Sequence, residues 1–537
     1  MSIPSCFRWS SNSTRYDALF KNTSRRWIYN EAERLKERYV EFNPAELQRV
    51  VGNAIQQDLC PSIVKIAEGG FNKVFLLVAK DGRDIIARIP TPIAGPPRYT
   101  TASEVATMNF LRVILGLPVP KVLAYSATSD NPVGAEYIIM DRVDGESLSS
   151  KWLTLKTEEV INITKQLADM EQKIFSFQFP GYGSLYHECD IEGQSHISID
   201  EGDFCIGPLA ARQFWHGERS QMDIDRGPWI SPEDCFTSAA RREVAWTREH
   251  AKPQPRRRFL LPTNYNIDPS QHVSLLSRFL KIAPFLVPPE PGLSSPTLRH
   301  PDLSLSNILL EPGSNKIASI IDWQDAIIFP LFMQAGYPAF CEHDSSRSQS
   351  LQIPTLPENF NEMCAKEQLQ ARGKLRLEEA NLFYTAATGI YNDAHINALN
   401  ISHRAMRQYL FQQTGYPWDA DLINLNAALV GVTSPQVWSS ITSLPCPVSF
   451  KDEERETAMK ESSEWNESES LLSTIRNHLG IDLEGGTELE NYEWAHHQNL
   501  QFRMELTRQS EEHEREVCWQ NWPYKDDGDC SSPPSLE

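Results

Sequence analysis

The sequence predicts an α+β chain. Three observations lead there: alternating apolar runs split by glycines and turns near the start, one 3.6-period segment after them, and helix-period stretches through most of the remainder. The first run reads IVKIAE from Ile63, then Gly69 and Gly70, FNKVFLLVA, the Asp81-Gly82 turn, and DIIARIP. These are three consecutive antiparallel strands. Glycines at the first turn let backbone N–H groups approach a phosphate with no Cβ in the way, and Asn72 adds a side-chain donor or fixes the turn. Alone, such a turn is usually only a hairpin. Lys65 and Lys73, on the flanking strands, read as solvated surface charge.

The next segment, TASEVATMNFLRVILG, places Val105, Met108, Leu111 and Leu115 on one helical face and stops at Gly116. Thr101 and Glu104 have the capping-box spacing. The functional alternative pairs Glu104 with a cation on the third strand, where Arg88 is the candidate. Two further strands follow, PKVLAY and AEYIIMDRV, and then the polar VDGES segment, which reads as a linker.

The most informative stretch is Arg299 to Ala326, RHPDLSLSNILLEPGSNKIASIIDWQDA. NILLE and KIASIIDW form a hairpin around the turn Pro312 to Asn315. Asp302 and Asn307 stand just before its first strand and Asp322 at the end of its second, so all three meet at one end. Phosphoryl transfer needs an acceptor for the attacking hydroxyl's proton and oxygen ligands for Mg²⁺. One Asp, an Asn five residues on and a second Asp after a hairpin supply these.

With these segments on view, EGGFNKVF, IIARIP, SEVATMNFL, HPDLSLSNILL and IIDWQDA together, the chain resembles the aminoglycoside phosphotransferase branch of the protein-kinase-like fold. It resembles more closely the fungal proteins called altered inheritance of mitochondria protein 9, which share the Arg-x-Pro third strand and a Gly-Pro-Trp insertion. The resemblance covers roughly residues 18 to 450. It implies two lobes, an N-lobe of antiparallel sheet plus helix and a mainly helical C-lobe. It also implies ATP and Mg²⁺, with Asp302 as catalytic base and Asn307 and Asp322 as metal ligands. Gly69, Gly70 and Asn72 become the phosphate-covering loop, and Glu104 orients the strand cation. Adenine sits against the connector from Met140 to Arg142. The chain departs from the kinase pattern at Arg88, where a lysine is usual; arginine keeps the charge but spreads it over a planar fork. His300 is expected to pack against backbone and hold the loop, and Asp325 to cap the next turn.

The boundaries that follow are a basic arm and helix over 1–59, an N-lobe over 60–143, a C-lobe over 144–450 with an insertion at about 187–270, and an acidic helical tail over 451–537. In the insertion, Trp215, Trp229 and Trp246 form either a substrate wall or a packing layer, with packing the simpler reading. Acceptor pockets of aminoglycoside-type enzymes are acidic and lie in this lobe. That makes Glu243 and Asp234 candidates without giving either a role.

The chain has 537 residues and 51 Lys+Arg against 71 Asp+Glu, a net charge of −20. This excludes a nucleic-acid coat, which needs clustered positive charge. From Lys451 to Glu537 there are 22 acids and 8 bases, a balance of −14, so the tail carries most of the excess. It reads as solvated surface, or as a docking face for a basic protein partner. Its Ser-Pro-rich end reads as disordered. Ten scattered cysteines without a C-x-x-C pair read as free thiols, and no apolar run is long enough for a membrane span. The first 27 residues hold five basic residues, one acid and six serines, the character of an organelle transit peptide. The compartment expected is therefore mitochondrial, otherwise cytoplasmic. The function expected is ATP- and Mg-dependent transfer of the γ-phosphate to a small-molecule hydroxyl. The alternative is a nucleotide-binding pseudokinase acting as a mitochondrial scaffold; with no activation loop of protein-kinase length, a protein kinase is a third reading.

Overall fold

The computed structural model describes residues 13–261, 263, 265–342, 353–529 and 531–533. Chain order begins with α1 (Ser13–Phe20), β1 (Arg25–Trp27), α2 (Glu31–Glu37) and α3 (Pro44–Ile55). Asn43 caps α3, its side-chain oxygen accepting from the N–H groups of Ala45 and Glu46, and Pro44 takes the first helical position. The expected strands then form β2 (Leu59–Glu68), β3 (Asn72–Ala79), β4 (Asp84–Pro90), β5 (Val122–Ser126) and β6 (Tyr137–Asp141), with α4 (Tyr99–Val113) between β4 and β5. They pair antiparallel in the order β2-β3-β4-β6-β5. Alternation decides the two faces. Phe75, Leu77, Ile85, Ala87 and Ile89 pack under Leu47 and Val51 of α3, leaving Val74, Leu76, Ile86 and Arg88 for the opposite face.

Helix α4 begins at Tyr99, two residues before the expected cap. Thr101 instead donates its hydroxyl to Glu136 at 2.6 Å, and Glu104 is buried inside the helix run. The VDGES linker also differs: Glu146–Ser147 is a short strand paired with Ile308–Leu310, so the crossing between lobes is bonded to the hairpin that Ile308–Leu310 forms with Ile317–Ile320. In the C-lobe, helices Thr157–Ser176 and Ala365–Tyr391 flank the main core, and helices Pro232–His250 and Pro269–Leu286 frame a second. The insertion's strands Ser184–His187, Phe204–Gly207 and Ile197–Ser198 form a small sheet against α4, where Phe110 meets Phe204 edge-on at 5.4 Å. Tyr99 stacks on Trp215 at 4.6 Å, and the Arg98 guanidinium donates to the Asp190 carbonyl. The insertion thus grips α4 from the side opposite the N-lobe sheet.

The two ends of the chain are joined. β1 pairs antiparallel with Gly486–Glu488 of the tail. Arg25 pairs with Asp482 at 2.9 Å, Arg26 with Glu493 at 3.3 Å and lies over the Tyr492 ring, and buried Arg38 pairs with Glu484. The tail acids therefore meet, in part, a basic segment of their own chain. The tail helices run Asp452–Leu479, Tyr492–Gln509 and Arg515–Gln520, with a break at Ser510 between the last two. Just before the Ser-Pro-rich end, Lys525 to Asp529 is fastened, with Arg503 on the Asp529 carboxylate at 2.7 Å; of the end read as disordered, residues 534–537 lie outside the described residues. So do the first 12 residues of the arm. Among the described residues seven cysteines are free thiols, and no helix is long and apolar enough to cross a membrane.

Trp27 is 3% exposed beneath the Arg38 guanidinium. Replacing it with alanine removes a buried aromatic and should cost about 3–5 kcal/mol in urea unfolding. An unchanged unfolding midpoint would show that β1 is a dispensable leader and not part of the fold.

Candidate active site

Strand Pro296–Arg299, paired with Ile327–Pro330, delivers the chain into the loop that carries the chemistry. The buried Arg299 guanidinium anchors it: Nε donates to Glu171 at 3.0 Å, and the two Nη atoms donate to the carbonyls of Gln334 and Gly336. Tyr384 donates its hydroxyl to the other Glu171 oxygen, and His395 lies beside it. His300 follows. Its Nδ1 accepts from the Asp302 N–H at 3.1 Å and its Nε2 donates to the Ile321 carbonyl at 2.9 Å. Burial holds its pKa below the usual histidine value, in keeping with a neutral ring bonded through both nitrogens. Asn307 donates Nδ2 to the Asp302 carbonyl and carboxylate at 2.9 and 3.2 Å, which leaves its side-chain oxygen as the atom for a metal. The Ile321 N–H donates to the Asn307 carbonyl at 3.0 Å, closing the hairpin. Asp302, Asn307 and Asp322 thus stand at one end of it, and the Asp302 carboxylate is exposed to the cleft.

Two features of the following loop are invisible in the sequence. Asp322 and Asp325 both have left-handed backbone, at φ 66° and 63°. Such strain in non-glycine residues persists only where surrounding structure imposes it, and it concentrates at functional sites. Asp325, expected to cap a turn, stands at the cleft floor, crowded by protein yet with a solvent-open edge. Burial, then the Asp322 carboxylate, raise its pKa to about 6, against the pull of Arg212 and Arg88. Among the described residues no three His, Cys, Asp or Glu side chains gather as a resident metal site. The Asp322 carboxylate and the Asn307 amide oxygen do suit Mg²⁺, which takes most of its ligands from phosphate and water.

On the N-lobe side, the Arg88 guanidinium divides between Glu104 of α4 and Asp322, reaching the latter at 3.2 Å. Gly69 and Gly70 are exposed, and a Cβ built on either meets nothing within 4 Å, so the turn is an open cradle of backbone. Asn72 donates to Gln324 at 2.7 Å, and Gln324 donates on to the Ala94 carbonyl at 2.9 Å. This latch joins the glycine hairpin to the Asp322 loop. Lys73 is not solvated surface charge: it is wholly buried and paired with Glu68 across the hairpin. Glu68 also receives Lys65 at 3.0 Å and the Thr23 N–H at 2.8 Å, because the segment before β1 lies over this face. The connector residues diverge. Met140 is buried in the core with Ile308 and Leu310, whereas Arg142 turns away to pair with Asp84.

In the insertion, Glu243 is fully buried and taken by Arg219 at 2.8 and 2.6 Å and by Arg242 at 2.7 Å, so it is structural. Asp234 lies on the surface beside Arg241. Trp229 is buried with Tyr182 and Phe214, the packing role; Trp215 and Trp246 each lie under an arginine. A pocket of about 300 Å³ opens here, lined by Leu209, Ala211, Phe214, Ile327, Phe329 and Phe411 among others. Sequence reasoning missed Gln324, the Lys73–Glu68 pair, Arg299 and Arg212; a buried-type neighbour of a strand lysine would have been the only hint, at Glu68.

Residues 62–333 match the model of the family described as phosphotransferase enzyme family. A subtelomeric hrmA-associated cluster protein of Aspergillus fumigatus is 62% identical over 509 residues, 89% of this chain and 100% of that protein. The altered inheritance of mitochondria protein 9, mitochondrial, of Candida tropicalis is 27% identical over 358 residues, 60% of this chain and 56% of that protein, so the chain spans little more than half of that relative's length. Among solved structures, an ADP-bound aminoglycoside phosphotransferase shares 13% identity, covering 72% of this chain and 97% of that one at a TM-score of 0.38.

Two measurements test the geometry. Glu68→Gln leaves the Lys73 ammonium buried without its carboxylate and should destabilise the protein by about 3–5 kcal/mol in chemical denaturation; a change below 1 kcal/mol, on the order of a surface pair, contradicts the burial. Burial first, and the Arg299 charge, hold His395 at a pKa of about 4 against 6.5 unfolded, although Glu171 pulls it up. Between those values the unfolded chain binds a proton that the folded one refuses. Stability should therefore fall as pH drops from 6.5 to 4, by roughly 3 kcal/mol from this residue, and His395→Gln should flatten that part of the curve.

Proposed function

Since the chain belongs to the phosphotransferase enzyme family, we propose that it transfers the γ-phosphoryl group of ATP, bound with Mg²⁺, to the hydroxyl of a small molecule. The observation that carries this reading is the meeting of Asp302, Asn307 and Asp322 with the Arg88–Glu104 pair under an open glycine turn. Asp302 accepts the proton of the attacking hydroxyl, with His300 fixing its backbone. Asn307 and Asp322 hold the metal, whose charge when bound offsets that of the phosphate oxygens. Gly69 and Gly70 offer backbone N–H groups to the phosphates, and Asn72 holds their hairpin over the cleft through Gln324. Val64 and Ile66 are exposed apolar side chains on the cleft face of β2, a ceiling suited to a purine base.

The acceptor has a largely apolar body. Its pocket is lined largely by Leu, Ala, Ile and Phe side chains with no carboxylate among the described lining residues, and Glu243, next to the lining residue Arg242, is held by two arginines. A polycationic aminoglycoside would find no free carboxylates there. The test is purified protein with Mg-ATP and a panel of hydroxyl compounds running from aromatic alcohols to aminoglycosides. Asp302→Asn should lower turnover by about 10²- to 10⁴-fold with nucleotide affinity retained; unaltered turnover refutes the mechanism.

Magnesium-dependent ATP binding without transfer to any acceptor would support the second reading, a nucleotide-binding scaffold, which the commitment of Arg88 to two carboxylates favours. The compartment we infer is the mitochondrion, from the name of the Candida relative and the basic, serine-rich start. The described residues begin at Ser13, so the informative comparison is a fluorescent fusion of the full chain against one lacking the first 12 residues. Identical distributions outside mitochondria would dismiss the assignment.

A further inference from the structure

Arg212 occupies a place that the proposed reaction leaves vacant. It opens the short 3₁₀ turn Arg212–Phe214 of the insertion, so it comes from the C-lobe side of the cleft. Its guanidinium lies over the ring of Phe71, 5.6 Å from the centroid, and Phe71 directly follows the glycine pair. Its charge acts on Asp325, beside the metal ligand Asp322. Its chain neighbour Ala211 lines the acceptor pocket. One half-buried cation thus stands between the phosphate loop, the metal loop and the acceptor pocket, where a phosphoryl group must pass.

Nothing else accounts for it. Among the described residues the Arg212 side chain has no carboxylate partner and no hydrogen bond, whereas Arg88, Arg219, Arg242 and Arg299 are each held by at least one acid. A cation near 6 Å from an exposed ring gains little from that contact. The charge balance also asks for it. Glu104 and Asp322 already share the Arg88 guanidinium, and Arg88 and Arg212 are the cations that act on Asp325. A triphosphate brought here adds negative charge that the metal offsets only in part.

We propose that Arg212 is a catalytic residue supplied by the insertion, contacting the γ-phosphoryl oxygens with its planar fork and stabilising their charge during transfer. The proposal rests on the phosphotransferase reading above, and its test separates the two. Calorimetric titration of the full chain would compare Mg-ADP with the magnesium complex of a β,γ-imido ATP analogue, for wild type, Arg212→Ala and Arg212→Lys, with thermal melting confirming that each variant is folded. Wild type should bind both nucleotides. Arg212→Ala should keep its ADP affinity and lose about tenfold or more for the analogue, the effect of one charge-assisted hydrogen bond, with Arg212→Lys in between. Equal loss for both nucleotides, or none for either, overturns the role. A raised acceptor KM with unaltered analogue affinity also overturns it, placing Arg212 on the acceptor. If wild type binds neither nucleotide, the phosphotransferase reading itself fails, and this proposal with it.

Discussion

The guanidinium of Arg88 is the point at which the two lobes are joined chemically. It is buried on the cleft face of the N-lobe sheet, and burial works against its charge. A buried charge is tolerable only when paired and bonded on more than one side. Here one partner, Glu104, comes from α4 and the other, Asp322, from the C-lobe hairpin, so helix and hairpin must both arrive for the strand to be stable. The width of the fork matters: two Nη atoms serve two carboxylates at once, which a single ammonium does less well. Arginine in this position therefore strengthens the connection between lobes and leaves less of its charge for phosphate.

The surroundings reinforce that connection. Helix α4 lies between the N-lobe sheet and the insertion, with Tyr99 on Trp215 and Arg98 on the Asp190 carbonyl. It cannot swing outward without breaking packing on its second face. Together with the Asn72–Gln324 latch, this gives a cleft whose charged groups are arranged before any ligand arrives. Preorganisation of that kind is where most electrostatic catalysis originates, and it leaves little room for control through movement of the helix.

What could be read from residues alone was what depends on local period and order. Alternation in β2, β3 and β4, and the spacing of Asp302, Asn307 and Asp322, are short-range patterns, and the structure carries them. What escaped was set by distant segments. Lys73 looks like surface charge until the chain around Thr23 is laid over it. Glu104 has the spacing of a helix cap, but the helix starts earlier because Arg98 is held from outside, its N–H on Glu136. β1 has three residues and no pattern of its own; its partner lies in the tail. Arg212 belongs to an insertion with no periodic signal, and the left-handed backbone at Asp322 and Asp325 has no residue signature, since neither is glycine.

The joining of the chain ends bears on how the protein is made. Arg25 and Asp482 are 457 positions apart, so their contact cannot form until the chain as far as Asp482 has left the ribosome. Domains otherwise fold from the N-terminus as they emerge, and contacts of such long range are the slowest to form. Until then β1 waits as an unpaired edge beside an uncovered tryptophan. A chain cut short before Gly486 would keep every residue of the cleft named above and still display that edge, a surface that chaperones and proteases recognise. Synthesis of the tail as far as Glu488, and not occupancy of the cleft, is the event that covers β1.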